Sequence, residues 1–309
     1  MSVLLLTHGD CLAHEMGEDH PESPDRLRAV LRALEAEEFS ALIRDQPEEA
    51  TPEQLARAHP ADYIAAILGA RPALGDYLAL DADTIMCAGS ARAGLLAAGA
   101  AVRAVDEVCG GHVRRAFCAT RPPGHHAERR RPMGFCLFAN AVIAARHAQA
   151  VHGVARVAIV DFDVHHGNGS QDGVADDASI LFASIHQMPL YPGTGAASET
   201  GVGNIHNAPL PPGATGAQFR AAWSGRLLPA IEAFAPELIV VSAGFDAHAR
   251  DPLAQLRLTE ADFTWITEEL CAVAQRVCGG RVVSLLEGGY DLEALATSAA
   301  AHVRALLSS

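Results

Sequence analysis

Short apolar runs rich in β-branched residues alternate along the chain with longer Ala/Leu stretches whose apolar positions recur every three or four residues. The first pattern predicts strands and the second amphipathic helices, and their alternation predicts βαβ units around a mostly parallel sheet. Strands are expected at 3–7, 115–119, 157–160, 180–184, 238–242 and 282–286. Helices are expected at 24–37, 52–57, 60–68, 88–108, 139–151, 216–235, 260–277 and 292–307. Ser23-Pro24 and Thr51-Pro52 place a capping hydroxyl before a first-turn proline, and Thr259 with Asp262 three residues on reads as a capping box. The Pro- and Gly-containing stretch 187–217 reads as loop. With no internal repeat and no low-complexity linker, residues 1–309 are expected to form one domain.

Composition narrows the function. Half of the residues are apolar and 19% are charged, which excludes disorder, collagen and coiled coil. Basic residues number 23 against 37 acidic, a formal charge of −14, so no nucleic-acid partner is expected. Every basic residue is Arg, which removes Schiff-base chemistry and the P-loop lysine. The seven cysteines are scattered with no C-x-x-C pair, the N-terminus lacks a basic n-region, and no apolar run approaches a membrane span of about 18 residues. A soluble, reduced, cytoplasmic protein is the expectation.

The strand ends carry the chemistry. Five predicted strands run into His, Asp or Tyr, all but the His186 end close to a glycine: His125-His126, Asp161 to Asn168, His186, Asp246 and Tyr290. In an open parallel sheet the carboxyl ends of the strands line the ligand crevice, so one shared site is expected. Asp161, Asp163 and His165 share a face if the segment is extended, and such groups are costly together unless a cation binds them. Asp246 would complete a set of three ligands with an open fourth position, as in catalytic zinc centres, although the donors alone also admit iron, cobalt or manganese. The plainer alternative is an acidic loop capping a helix. The His125-His126 pair divides labour if different acceptors fix the two tautomers, and Gly124 would let the backbone approach a ligand closely. Tyr290, after Gly288-Gly289 on a flexible loop, is either an oxyanion donor or a packing aromatic. Cys136 reads as a small buried hydrophobe.

The ordered strings RPPGHHAE, GFCLFANA, DFDVHHGNG, YPGTG, SAGFDAH and LEGGY resemble zinc-dependent histone deacetylases. The early HPESPDR, Asn168 and Glu287 resemble the class II branch with its bacterial amidohydrolase and acetylpolyamine amidohydrolase relatives. The resemblance runs from His20 to Tyr290. It implies the arginase–deacetylase fold, a single, mostly parallel eight-stranded α/β sheet flanked by helices. It implies Zn²⁺ on Asp163, His165 and Asp246. By the same matching, His126 is the general base and later the acid, His125 paired with Asp161 is an electrostatic stabiliser, Asn168 is the partner of His126, and Tyr290 holds the carbonyl oxygen. Class I members carry Asp at the Asn168 position, which implies weaker tautomer control here. Gly134, Phe135 and Tyr191 match the substrate tunnel, Asp83 its rim, and Arg26 an inner channel, with a solvated helix-face charge the alternative for Arg26. Asp161 and Ser184, with the carbonyls of Asp163, His165 and Ile185, match a structural K⁺ site.

The implied substrates are acetylated lysine in a peptide or protein, or an acetylated polyamine. Leu253 stands where the polyamine-specific relative has a gatekeeper Glu, which favours lysine; the charge of −14 suits either cationic substrate. A two-manganese ureohydrolase would need further carboxylates where His166 and His248 stand, and a non-catalytic acyl-group reader would have lost a histidine or a ligand. The oligomeric state and the acyl preference stay open.

Overall fold

The computed structural model describes residues 2–309. Its strands are β1 (Val3–Leu6), β2 (Ile43–Asp45), β3 (Leu78–Ala79), β4 (Ile85–Met86), β5 (Arg115–Cys118), β6 (Val157–Asp161), β7 (Ile180–Gln187), β8 (Ile205–Leu210), β9 (Leu238–Ala243) and β10 (Val282–Leu286). The helices are α1 (Pro24–Ala33), α2 (Pro52–Leu55), α3 (Ala61–Gly69), α4 (Ser90–Cys109), α5 (Asn140–His152), α6 (Asn168–Val174), α7 (Gly216–Ala222), α8 (Leu228–Phe234), α9 (Glu260–Cys278) and α10 (Leu292–Ser308).

Eight strands form one sheet in the order β2-β1-β5-β10-β9-β6-β7-β8, and every pairing in it is parallel. The strands β5, β6, β9 and β10 are buried along their whole length, as their continuous apolar runs require when helices cover both faces. On one face α1, α10, α9 and α8 pack in succession; on the other, α4, α5 and α6 do. The central strands β5-β10-β9-β6-β7 are contiguous, so the five chemistry-bearing strand ends become neighbours at one edge of the sheet.

Several features depart from the sequence pattern, which holds no expectation of β2 or α6. The stretch expected as loop contains β8, which pairs with β7 from Phe182↔Ile205 to Gln187↔Leu210. Its Pro209 is tolerated because β8 is the edge strand. The helix expected over 216–235 is broken into α7 and α8 by a π-turn at Trp223–Leu227. Pro229 has no N–H to return to residue 225, and a wider turn absorbs the loss. The short antiparallel β3–β4 hairpin had no visible signal.

Arg26 is fully buried rather than a solvated helix-face charge. It donates to Glu22 Oε1 at 2.8 Å and to the backbone carbonyls of Glu287 and Gly289. Arg121 forks onto both carboxylate oxygens of Glu22. Burial alone would raise the Glu22 pKa, but the guanidiniums of Arg121 and Arg26 outweigh it and hold the carboxyl at about 2. The stabilisation is therefore complete above the ordinary glutamate range and is lost as pH falls toward 2. Glu22→Gln is expected to cost about 3 kcal/mol at neutral pH, because it leaves two buried guanidiniums short of their counter-charge. Urea denaturation of both proteins at pH 7 checks this, and an unchanged midpoint would refute it.

Candidate active site

The segment after β6 carries Asp163 and His165, and the segment after β9 carries Asp246. β6 ends at Asp161, so the three residues do not alternate on one extended face; the chain bends, and Asp161 Oδ1 accepts from the Asp163 amide at 3.1 Å. The bend groups Asp163, His165 and Asp246 instead, with one ligand atom of each within 4.8 Å of the others. His165 Nδ1 lies 3.2 Å from Asp163 Oδ1 and 3.0 Å from Asp246 Oδ2. The remaining carboxylate oxygens accept backbone amides, Asp163 Oδ2 from Gly288 and Asp246 Oδ1 from Val164, each at 2.8 Å.

The electrostatics of this set favour positive charge among its donors. Burial raises the Asp246 carboxyl, and the neighbouring Asp163 raises it further, to about 7. Burial lowers His165, but its hydrogen bonds to Asp163 and Asp246 outweigh that and raise it to about 10. A positive charge between the two carboxylates is thus strongly favoured. One imidazole and two carboxylates fit zinc, with iron, cobalt and manganese also admitted by donor chemistry.

Beside this set, the adjacent imidazoles of His125 and His126 have ring centroids 4.0 Å apart and opposite electrostatic fates. His125 Nδ1 meets Asp161 Oδ2 at 3.0 Å; burial disfavours its charge, but Asp163 and Asp161 together raise it well above the ordinary range. His126 is pushed well below that range by burial, then by the charges of His125 and His165. Its Nδ1 lies 2.7 Å from Asn168 Oδ1, and Asn168 Nδ2 donates to Glu128 Oε1 at 2.8 Å. Because Glu128 only accepts, the amide oxygen must face His126, so His126 carries its proton on Nδ1 and keeps Nε2 basic. The tautomer control expected to be weak is therefore enforced by Glu128.

Asp83, Gly134, Phe135, Tyr191 and Leu253 line one cavity of about 240 Å³ together with His126, His165 and Tyr290. Leu190, which carries no sequence signal, lines it too. Phe135 has φ of +68°, a strained conformation for a side chain with a Cβ, and its amide donates to Thr84 Oγ1 at 3.1 Å. Gly134 has φ of +55°, and a Cβ there would overlap the His126 ring. Gly124, in contrast, abuts the start of α5 at Asn140 rather than a ligand. The Tyr290 loop is tied down rather than flexible: Tyr290 N donates to Asp251 Oδ2 at 2.7 Å, and Arg26 Cζ stands 4.8 Å from the Tyr290 ring centroid. Glu287 accepts from the amides of Gly124 and His125 at 2.7 and 3.2 Å, bracing the histidine pair from β10. Asp161 and Ser184 are register partners in β6 and β7, and Ile185 follows, buried.

The histone deacetylase domain matches residues 20–306. The chain belongs to the histone deacetylase family. Histone deacetylase 14, chloroplastic, of Arabidopsis thaliana is 40% identical over 315 residues, covering 94% of this chain and 73% of that protein. The histone deacetylase-like amidohydrolase of Pseudomonas aeruginosa is 40% identical over 296 residues, covering 94% and 77%. The crystal structure of the HDA15 HD domain superposes with a TM-score of 0.94 at 36% identity, over 100% of this chain and 88% of that one. The fold is therefore the arginase–deacetylase fold, and the protein is a deacetylase, a hydrolase acting on amide bonds. Family membership implies a metal cofactor.

Glu128, to which the RPPGHHAE string assigned no role, reaches His126 through Asn168, and Asp251 accepts from the Tyr290 amide; only the spatial arrangement reveals either link. Gly134→Ala forces a Cβ into the His126 imidazole and is expected to lower deacetylase kcat/KM at least about tenfold, because displacing a side chain that lines the cavity disturbs the placing of whatever reacts there. Steady-state kinetics on an acetyl-lysine peptide checks this, and wild-type kcat/KM in the variant would refute it.

Proposed function

We propose that the protein removes acetyl groups from acetylated lysine side chains, acting as one catalytic domain over residues 1–309. The observation that carries the reading is that His165 of the three-donor set, His126 and Tyr290 all line the cavity flanked by Phe135 and Tyr191. Asp163, His165 and Asp246 would hold a zinc ion. Bound there, zinc would supply Lewis acidity, lowering the pKa of a water toward about 7 and polarising the amide carbonyl.

The chain's own groups supply the rest. His126 Nε2 takes a proton from the attacking water and returns it to the departing amine, its Nδ1 proton held by Asn168. His125, kept positive by Asp161 and Asp163, offers a fixed charge to the developing anion without giving up its proton. Burial pushes the Tyr290 phenol well above its ordinary range, so it keeps its proton and donates a hydrogen bond to the oxyanion. Phe135 and Tyr191 sheathe the methylenes, Gly134 lets His126 reach the cavity, Leu253 presents an apolar wall, and Asp83 at the rim accepts from the substrate backbone. A structural K⁺ would sit by Asp161, Ser184 and the Ile185 carbonyl, offsetting the buried carboxylates. Seven free cysteines suit a reducing, cytoplasmic setting, and among the described residues no helix is long and apolar enough to cross a membrane.

An acetylated polyamine is the second reading, since the charge of −14 suits either cationic substrate. Hydrolysis of an acetyl-lysine peptide and of acetylpolyamines, measured side by side, separates the two; faster turnover of the polyamine would overturn the lysine assignment. Chelation is expected to abolish activity and Zn²⁺ to restore it, and activity that survives complete metal removal would sink the metal assignment. His126→Ala and Tyr290→Phe are each expected to cut kcat at least about a hundredfold. Glu128→Ala is expected to cost roughly tenfold through the loosened Asn168, with little change in KM. Wild-type kcat in any of the three would remove that residue's role.

A further inference from the structure

Away from the active site, one other group of metal-ligating side chains meets among the described residues: Asp106 of α4 with His147 and His152 of α5. Both imidazole Nε2 atoms lie 2.7 Å from the same oxygen, Asp106 Oδ1, and one ligand atom of each residue falls within 4.8 Å of the others. We propose that this cluster is a second, peripheral site for a divalent transition-metal ion of the zinc class.

Two imidazoles and a carboxylate suit zinc and its neighbours rather than calcium or magnesium. The backbone favours a cation as well. Asp106 lies in the last turn of α4 and His152 is the last residue of α5, so both helices direct their negative ends at the cluster. Burial is graded: the His147 side chain is 4% exposed, His152 21% and Asp106 41%, which leaves a solvent side for water ligands. α4 leads into β5 and α5 into β6, so the cluster lies toward the amino ends of the strands, about one strand length (roughly 17 Å) from the active-site edge. The ion would clamp α4 to α5 and take no part in the reaction.

Without an ion, Arg57 Nη1 donates to His147 Nδ1 at 2.9 Å, which places the His147 proton on Nε2, aimed at Asp106. An ion at Nε2 replaces that proton, and Nδ1 takes one up, so the imidazole stays neutral. Nδ1–H then faces another donor, and Arg57 must turn away. Arg57 therefore opposes metal binding.

The test uses full-length, tag-free protein stripped by chelator and reloaded with Zn²⁺ alone, with bound metal counted by elemental analysis. Wild type is expected to hold two equivalents, Asp246→Ala one, and Asp246→Ala/His152→Ala none, with Asp246→Ala/Asp106→Asn as the substitute should that double variant not fold. His152→Ala alone should turn over like wild type. Co²⁺ in Asp246→Ala should give visible d–d absorption that disappears with His152→Ala. Arg57→Ala in the Asp246→Ala background should bind Zn²⁺ at least about threefold tighter, as expected for losing one competing hydrogen bond. A wild type holding a single equivalent that Asp246→Ala abolishes would overturn the peripheral site while leaving the catalytic one standing. Uptake by Asp246→Ala that neither His152→Ala nor Asp106→Asn reduces would overturn it too.

Discussion

Four carboxyl groups, those of Asp161, Asp163, Asp246 and Glu287, are buried side by side at the carboxyl ends of three adjacent strands. Removing that much negative charge from water is prohibitive unless each oxygen finds a donor or a cation. Backbone amides from Gly124, Val164 and Gly288 cover part of the demand, and the His125 imidazolium covers more. What remains is the gap between Asp163 and Asp246, bridged only by His165. The apolar sheet beneath makes the arrangement tolerable, because strands packed on both faces cannot move apart to relieve repulsion.

The same demand separates the two neighbouring histidines. His125 faces carboxylates and stays charged; His126 faces that charge and an amide, and stays neutral. On the proposed reading, two side chains of identical chemistry would thereby serve as a fixed cation and a proton carrier, the sorting that acid–base catalysis requires. A carboxylate in place of Asn168 would bring His126 closer to the charged form. An amide oriented by Glu128 fixes the tautomer without adding negative charge to a region already crowded with it.

The strands with uniform β-branched runs, and the residues at their ends, could be read from sequence because burial and strand-end position both leave a linear mark. β8 could not: Ile205, Asn207 and Pro209 give neither a continuous apolar run nor a clean alternation, and its pairing depends on β7 already being in place. Nor could Glu128, Leu190 or Asp251, whose roles arise from contacts with residues distant in sequence. The Asp161-Asp163-His165 spacing was informative for the wrong local reason. The segment is bent, and the bend, not alternation on a strand, turns Asp163 and His165 toward Asp246.

The buried ion network around Glu22 joins stability to chemistry. Arg121 begins the segment that carries the histidine pair, and Arg26 holds the carbonyls on either side of Gly288 while its guanidinium covers the Tyr290 ring. Glu22 binds both arginines, so one carboxylate ties α1 to two of the loops that build the active site. Hydrophobic side chains of equal volume would stabilise the fold at least as well. They would not fix the direction of two loops at once, since dispersion contacts lack the angular preference of a forked guanidinium–carboxylate pair. Directional bonding at this depth explains why the structure retains three fully buried charged side chains where apolar packing alone would have served stability.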